Sequence, residues 1–560
     1  GFYQDDYIQL VKVSQEHSSL LSRLDLYQFT RGTAETKSSL VDRGPFPWWT
    51  PREHKISFFR PIGSLLFNLD YMLWKLDAMP YHIHSLVWYA LFIAATSLLY
   101  LNVVPSRYII LALLIFAVDD AHWFPVSWIA CRHSLITGVF GVLSIWSHVK
   151  WRAEKWRAGG LFSSSALILA LFSGEAALGT VAYIAAFECI GSSDGRVRRI
   201  IALLPSLIIV ACYLTAYSMM GYGTYGSGLY NNPLNDLPSF LKAAGVALPM
   251  LMADLLAGVQ SDFAILLPSI TPWLVITGIV FFALFVFILN RAIKSMPDNE
   301  QKTISWLALG ALLSLLPSLG GFVSGRLLLM PGIGGAVILA VVMQYAFTRG
   351  INMAKGWWRR ALYVFGWFLV FMHLVLAPVQ LGASGILLGV YSRSNEEVAE
   401  SIEVPDPIND SAVILAGSDP LVWVYTPWII GAKKGRLPSA FWTISASPCD
   451  QEITRTSEKS LQISTIGCTM LQTPFEKLFR SKKIRLSIND TVTLDGLEIR
   501  ILATEDDLPT RIALTWDNAT DRPDHPLVFL AWQGDALRRL QLPPVGSTIT
   551  WNWTAGPLGL

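Results

Sequence analysis

Long apolar runs recur along the first 380 residues, and they constrain the fold more than any other feature. They lie near residues 81–101, 107–118, 134–149, 161–173, 176–191, 200–219, 271–290, 303–318, 326–347 and 359–379. A helix needs about 20 such residues to cross a bilayer. Only 15% of the chain is charged, against about 25% in soluble domains. The sequence therefore predicts a polytopic α-helical membrane protein with about 10–11 transmembrane helices.

The composition changes near residue 396, where charged and β-prone segments replace the apolar runs. Asp495-Gly496 is a hairpin signal between two such segments. Further strands are predicted at 483–488, 491–494, 497–502, 510–516 and 526–532, and a strand followed by a helix at 411–431. Residues 396–560 are therefore predicted to form a mostly β domain outside the membrane. Cys449 and Cys468 either pair in an oxidising compartment or remain free thiols.

Basic loops indicate which ends of the helices face the cytoplasm. They lie at 150–157, 196–199, 290–294 and 355–360. All four fall on one side only if the segment 239–260 does not cross, so we expect it to be re-entrant or interfacial. The remaining loops then face outward, in a bacterium the periplasm.

Residues 1–80 are then a first outer loop, and 81–380 are the transmembrane domain. Amphipathic spacing over 65–76 predicts a helix lying at the membrane interface. Because the chain begins with Gly1 and no apolar run precedes Asp5, we also expect a further helix upstream.

Several charged residues fall at the predicted outer ends of these spans, where an ionised group costs several kcal/mol unless it has a partner or a polar cavity. A carboxylate can accept a proton from an acceptor or hold a metal ion, and an arginine can bind a phosphate with two hydrogen bonds. The candidates are Asp5, Asp6, Arg60, Asp119, Asp120, His122, Arg132, His133, Glu175 and Arg326.

The alternative interpretation of each residue is a capping group or an ion pair that stabilises a short loop. Asp120 and His122 could ligate a divalent metal, although their pattern has no fixed metal spacing; no other cofactor is indicated. The net charge of +2 gives no reason to expect nucleic acid as a partner.

Four segments together resemble a family, the transmembrane and tetratricopeptide-repeat O-mannosyltransferases. They are Phe59-Arg60-Pro61-Ile62 with Tyr81-His82-Ile83-His84, Phe116 to His122 with Trp128 to His133, Phe172-Ser173-Gly174-Glu175-Ala176, and Ser324-Gly325-Arg326 to Gly334. They occur in the family's order over residues 1–350. The family belongs to the glycosyltransferase C superfamily, whose members take a sugar from a polyprenyl-phosphate carrier at the outer membrane face.

The resemblance implies a role for two of the candidate groups. The acidic pair Asp5-Asp6 matches the family's catalytic base, and Arg326 matches an arginine that binds the donor phosphate; Arg60 is a second candidate for the phosphate. Asp119, Asp120, His122, Arg132, His133 and Glu175 are expected to line the cavity. The expected activity is inverting transfer of a sugar to a protein or glycan acceptor.

Three departures from the family's pattern keep a second hypothesis open. Gly174 replaces a lysine, Gly325 replaces a glutamate, and Asp119-Asp120 replace His-Pro. No tetratricopeptide repeats follow. The alternative is a non-catalytic membrane scaffold or accessory subunit of a larger complex that retains the glycosyltransferase fold and binds partner subunits. Under either hypothesis we expect a protein of the bacterial inner membrane with its C-terminal domain in the periplasm.

Overall fold

The chain folds into two units, described here from a computed structural model that covers residues 1–14, 20–33, 40–233, 236–348, 356–402, 411–517 and 527–559. The membrane unit comprises 59–220 and 231–387, and the mixed α/β unit comprises 1–58, 221–230 and 388–560. This differs from the predicted division, because most of the expected first outer loop belongs with the C-terminal region. Only 59–80 joins the transmembrane helices.

The membrane unit is helical. Its α-helices are Pro61–Trp74, Ala78–Val103, Ser106–Ala117, Trp123–Ser127, His133–Ala153, Ala158–Ser173, Leu178–Ala186, Arg196–Met219, Leu237–Ala257, Phe263–Leu266, Thr271–Lys294, Asp298–Ser314, Pro331–Phe347 and Gly356–Val370, and Ala377–Glu400 begins in it. Short 3₁₀ turns at Asp120–His122, Ile129–Cys131, Glu175–Ala177 and Gly325–Leu328 break the apolar runs. Those breaks place polar residues at helix ends.

Seven helical segments within the described residues are long and apolar enough to cross a membrane, and the bent pair Ser106–Ala117 and Asp120–Ser127 adds an eighth when it counts as one span. Ala158–Ser173 and Pro331–Phe347 are shorter apolar helices at further predicted spans. The protein is thus a polytopic helical membrane protein. Leu237–Ala257 is an unbroken helix that itself meets the length and hydropathy requirement; its expected placement as a re-entrant or interfacial segment stays a prediction.

Burial separates the helices into central and peripheral ones. Almost every side chain of Pro331–Phe347 is buried, whereas only 17% of the apolar window of Arg196–Met219 is buried within the protein. A helix that is apolar on all faces suits either a protein core or a lipid environment. The predicted helix over 65–76 is present as Pro61–Trp74, which buries Asp70 and Phe67 and exposes Leu65, Met72 and Leu73. Its placement at the interface stays a prediction.

The mixed α/β unit has short helices at Asp5–Ser14, Leu20–Arg23, Thr426–Lys434 and Pro474–Phe479. Its strands, numbered in chain order, are β1 (Gln28–Arg31), β2 (Lys55–Ser57), β3 (Gly223–Tyr225), β4 (Ser411–Ala416), β5 (Ala440–Thr443), β6 (Gln451–Ser457), β7 (Ser460–Thr465), β8 (Thr491–Thr493), β9 (Leu497–Glu505), β10 (Leu508–Trp516), β11 (Leu527–Trp532), β12 (Leu537–Arg539) and β13 (Thr548–Trp551).

These strands form three sheets. A small antiparallel sheet has the order β1-β2-β3, and a larger antiparallel one has the order β13-β6-β7-β10-β9-β8. The third sheet, β12-β11-β4-β5, pairs β11, β4 and β5 in parallel. Parallel neighbours need a crossover, and the helical run from Leu421 to Lys434 supplies it between β4 and β5.

Most predicted strands of the tail are confirmed. The hairpin at Asp495-Gly496 joins β8 to β9, and the strand and helix expected over 411–431 are β4 and its crossover. The predicted strand at 483–488 is wrong. There, backbone groups bond to side chains instead of a neighbouring strand: Ile484 O accepts from Arg480, and Ser487 N donates to Asp490.

A disulfide joins Cys449 and Cys468, whose Cα atoms are 6.2 Å apart. The two residues flank the β6–β7 hairpin, immediately before β6 and shortly after β7. This resolves the alternative between a bridge and two free thiols. Disulfides persist in oxidising compartments, which accords with the expected position of this unit outside the cytoplasm.

Candidate functional site

The 3₁₀ turn Gly325–Leu328 lies at the centre of the charged groups of the membrane unit. Gly325 N donates to Asp262 Oδ2 over 2.9 Å. A Cβ atom at Gly325 would lie 3.3 Å from a carboxylate oxygen of Asp254 and 3.3 Å from one of Asp262, and 3.7 Å from Ala121 Cα. Carboxylates from two other parts of the chain therefore meet at the backbone beside Arg326.

Each of these carboxylates has a defined hydrogen bond. Asp254 Oδ2 accepts from Ser261 N and Ser261 Oγ, both at 2.8 Å, and Asp120 Oδ2 accepts from Gln260 Nε2 at 2.7 Å. Burial raises the pKa of Asp262, and the bond from Gly325 N and the charge of Arg326 oppose that rise. Asp119 accepts from Ala121 N and so fixes its own turn.

Three of the predicted residues form a second group in the same unit. Arg60 Nη2 lies 2.8 Å from Glu175 Oε2, and Arg60 Nη1 lies 2.9 Å from His133 Nε2. Both partners of the ion pair remain partly exposed, with 16% of the Arg60 side chain and 27% of the Glu175 side chain accessible. The pair is therefore partly solvated.

Arg326 adjoins this group. Its Nη1 lies 3.6 Å from Sγ of Cys131, which precedes His133 by two residues. Two partly exposed arginines beside one imidazole form a cationic region of the kind that binds a phosphate.

Two family departures acquire a physical explanation here. A Cβ at Gly174 would lie 3.0 Å from His133 Nδ1 and 2.9 Å from Thr137 Oγ1, so a larger residue would require these two side chains to shift. Arg60 instead supplies the cation beside Glu175. Asp254 and Asp262 likewise bring carboxylates to Gly325, where the family has glutamate.

Arg132 differs from its prediction as a cavity-lining residue. Its side chain is 2% exposed and forms an ion pair with the fully buried Asp70. Arg132 Nη1 also lies 3.3 Å from Tyr81 O, and His84 Nδ1 lies 2.7 Å from the second oxygen of Asp70. This buried network joins helices Pro61–Trp74 and Ala78–Val103 to the turn before His133, which is a structural role.

His122 also differs from its prediction, because its ring is buried among Tyr89, Phe92 and Phe116. Its Nδ1 lies 3.2 Å from the Tyr89 hydroxyl. Over the described ranges, no three His, Cys, Asp or Glu side chains are placed to hold a metal ion. Asp120 and His122, the predicted metal ligands, therefore have no third His, Cys, Asp or Glu ligand within those ranges.

The acidic pair of the mixed α/β unit divides into two different environments. Asp6 is fully buried, and its Oδ2 accepts from Tyr3 N at 2.8 Å, which caps its own helix. Asp5 is half-buried and accepts a 3.2 Å hydrogen bond from the hydroxyl of Tyr425. Burial and then the charge of Asp5 raise the pKa of Tyr425, so this phenol remains protonated. Asp5 is the member of the pair with accessible surface.

Sequence reasoning missed Asp70, Asp254, Gln260 and Asp262. A carboxylate near the end of an otherwise apolar helix was the available signal, because such a group requires a partner.

Comparison with known proteins supports the family resemblance over a short segment. The mouse (Mus musculus) protein O-mannosyl-transferase TMTC3 is 32% identical over 111 residues, which is 18% of this chain and 11% of the mouse protein. The chain thus matches about a tenth of that protein's length. No family model matches the chain.

Two solved structures are similar to this chain. The archaeal oligosaccharyltransferase AglB from Archaeoglobus fulgidus, in complex with an inhibitory peptide and a dolichol-phosphate, has a TM-score of 0.41 and 12% identity over 78% of this chain and 60% of its own. ArnT from Cupriavidus metallidurans, bound to undecaprenyl phosphate, has a TM-score of 0.35 and 10% identity over 92% and 98%. At these scores neither likeness carries an argument about activity.

Proposed function

We propose that this chain is a membrane glycosyltransferase of the C superfamily that takes a sugar from a polyprenyl-phosphate-linked donor. The observation that carries the proposal is the contact of Arg60 with both Glu175 and His133 in the membrane unit, together with the contact of Arg326 with Cys131, two residues before His133. These residues are far apart in the sequence.

The cationic region suits a leaving phosphate. When the bond between the anomeric carbon and the phosphate oxygen breaks, the electron pair stays on that oxygen and negative charge develops there. Fixed guanidinium groups stabilise such charge without reorganisation. Arg326 is assigned this role, with Arg60 as the second phosphate ligand.

Asp5 is assigned the role of general base. Its carboxylate takes the proton of an acceptor nucleophile, which forms the new bond to the anomeric carbon as the phosphate leaves. A single displacement of this kind inverts the anomeric configuration. Asp6 is excluded from the role in this proposal because its carboxylate is buried against Tyr3 N.

The scaffold hypothesis rested on the two lost family charges. Arg60 at Glu175 and the two aspartates at Gly325 place equivalent charges at those positions, and this favours the transferase. The disulfide-bonded β domain supports an oxidising location, which in a bacterium is the periplasm.

Native mass spectrometry of gently solubilised protein tests the proposal. We expect wild type to retain a polyprenyl phosphate or its sugar conjugate, and Arg326→Ala to lose it. Arg107→Ala is the matched control, since Arg107 pairs with Glu300 away from this region. Retention by Arg326→Ala, or bound protein subunits without lipid phosphate in wild type, would contradict the transferase.

A further inference from the structure

Strands β4 and β11 run parallel as neighbours in the third sheet, so their carboxyl ends lie side by side. The chain leaves β4 through its helix toward β5 on one side, while β11 lies on the other side of β4. Open α/β sheets bind ligands in a crevice outside the carboxyl ends of their strands. In this protein the segment Thr554–Leu558 occupies that position.

Three side chains at the ends of β4 and β11 hold this segment by its main chain. Ser418 Oγ donates to Thr554 O at 2.9 Å, and Trp532 Nε1 donates to Ala555 O at 3.1 Å. Asp419 Oδ2 accepts from Leu558 N at 2.6 Å. Ser418, Asp419 and Trp532 are all at least nine-tenths buried. All three hydrogen bonds are to main-chain atoms of the segment, so in these contacts the crevice binds peptide groups and not side chains.

The fit around Gly556 restricts what can lie there. A Cβ atom at this position would collide with the Asp419 carboxylate and lie 2.9 Å from Ser418 Oγ. Beyond it, Gly559 N donates to Gly556 O at 2.8 Å and closes a turn through Pro557 and Leu558. A glycine followed by a turn is thus the shape that this crevice accepts.

We infer that the crevice is a polypeptide-binding site, and that residues 554–558 occupy it in cis as a competitor of a second peptide. The ligand class follows from the three main-chain contacts: a short peptide with glycine at the position of Gly556.

The site adjoins the candidate base through one helical run. Asp419 Oδ1 accepts from Leu421 N at the start of that run, and Tyr425 within it donates to Asp5. That the peptide is the acceptor of sugar rests on the proposed function; the binding of peptide does not.

The test uses the full chain in lipid nanodiscs and a fluorescent peptide of sequence Thr-Ala-Gly-Pro-Leu-Gly, without any sugar donor. Gly556→Val should expel the segment, so we expect its affinity for the peptide, by fluorescence anisotropy, to exceed that of wild type at least about tenfold. Gly195→Val is the matched control, because a Cβ there meets nothing within 4 Å. Adding Ser418→Ala to Gly556→Val should weaken the gained binding about fivefold through one lost hydrogen bond.

A folded Gly556→Val protein that binds no peptide would overturn the inference, as would equal binding of a peptide with valine in place of its glycine. A second measurement needs no variant. Saturating peptide should raise amide hydrogen exchange of residues 554–558 in wild type, whereas unchanged exchange would show that the segment is a structural strap. Failure of these tests leaves the lipid-phosphate result of the transferase untouched.

Discussion

The Arg132–Asp70 pair and the Arg60–Glu175–His133 group are adjacent in sequence at Arg132 and His133, yet they differ in exposure. The first pair is closed: Arg132 is 2% exposed and Asp70 is fully buried. The second keeps part of both charged side chains accessible. A buried pair of this kind joins helices, whereas the accessible group retains capacity for a ligand.

Asp6 and Asp5 repeat this contrast in the mixed α/β unit. Asp6 caps a helix out of contact with solvent, and Asp5 is half-buried beside Tyr425. Within helix Asp5–Ser14 the 100° rotation between successive residues sends Asp6 inward and leaves Asp5 near the surface. The comparison teaches that charged neighbours in an acidic or basic cluster can have opposite roles.

The largest expected effect is the loss of sugar transfer when the catalytic member of the acidic pair Asp5-Asp6 is replaced. Asp5→Asn should reduce turnover by about 10²–10⁴-fold, because a general base contributes about that much. Asp6→Asn should retain turnover, since asparagine also caps helices. A radiolabelled sugar-transfer assay on both purified variants measures this. Equal loss in the two variants would remove the distinction between Asp5 and Asp6.

The next largest expected effect is the loss of stability when the buried Arg132–Asp70 ion pair is broken. Arg132→Ala should destabilise the protein by about 3–5 kcal/mol, because it leaves the buried charge of Asp70 without its arginine partner. Thermal unfolding followed by size-exclusion chromatography measures the loss of folded protein. The double variant Arg132→Met with Asp70→Leu should recover much of it. A single variant as stable as Arg107→Ala would contradict the structural role.

A smaller effect concerns pH and His54, which is buried between Thr30 Oγ1 and Leu478 O. Burial lowers its pKa from 6.5 to about 4. The folded state therefore favours the neutral ring. The contribution of His54 to the free energy of unfolding is fully present above pH 6.5, and about 3 kcal/mol of it is lost as the pH falls from 6.5 to 4. His54→Gln should flatten the pH dependence of the unfolding midpoint over that range. An unaltered slope would show that other groups cause it.

The smallest expected effect on stability is at the accessible group. Arg60→Ala should change the free energy of unfolding by about 1 kcal/mol or less, because the pair with Glu175 is partly solvated. The same variant should nevertheless retain less lipid phosphate in native mass spectrometry. A loss of stability as large as that of Arg132→Ala would erase the contrast between the two regions.

The sequence was sufficient to predict the structure where a single helix or hairpin determines it. Apolar length predicted the membrane helices, and Asp495-Gly496 predicted the β8–β9 hairpin. It was not informative where distant segments meet. Nothing local indicates that Asp254 and Asp262 meet at Gly325, that Asp70 pairs with Arg132, or that 1–58 joins the C-terminal unit. The strand predicted at 483–488 failed because β-prone residues there use side chains as hydrogen-bond partners.

The most direct test of the account is a cryo-electron microscopy structure of the protein in nanodiscs that contain undecaprenyl phosphate. The account predicts phosphate density within hydrogen-bond distance of the guanidinium groups of Arg326 and Arg60, with the Arg132–Asp70 pair unchanged. Phosphate bound elsewhere, or density at these arginines that persists in Arg326→Ala, would contradict the assignment of this group as the donor-phosphate site.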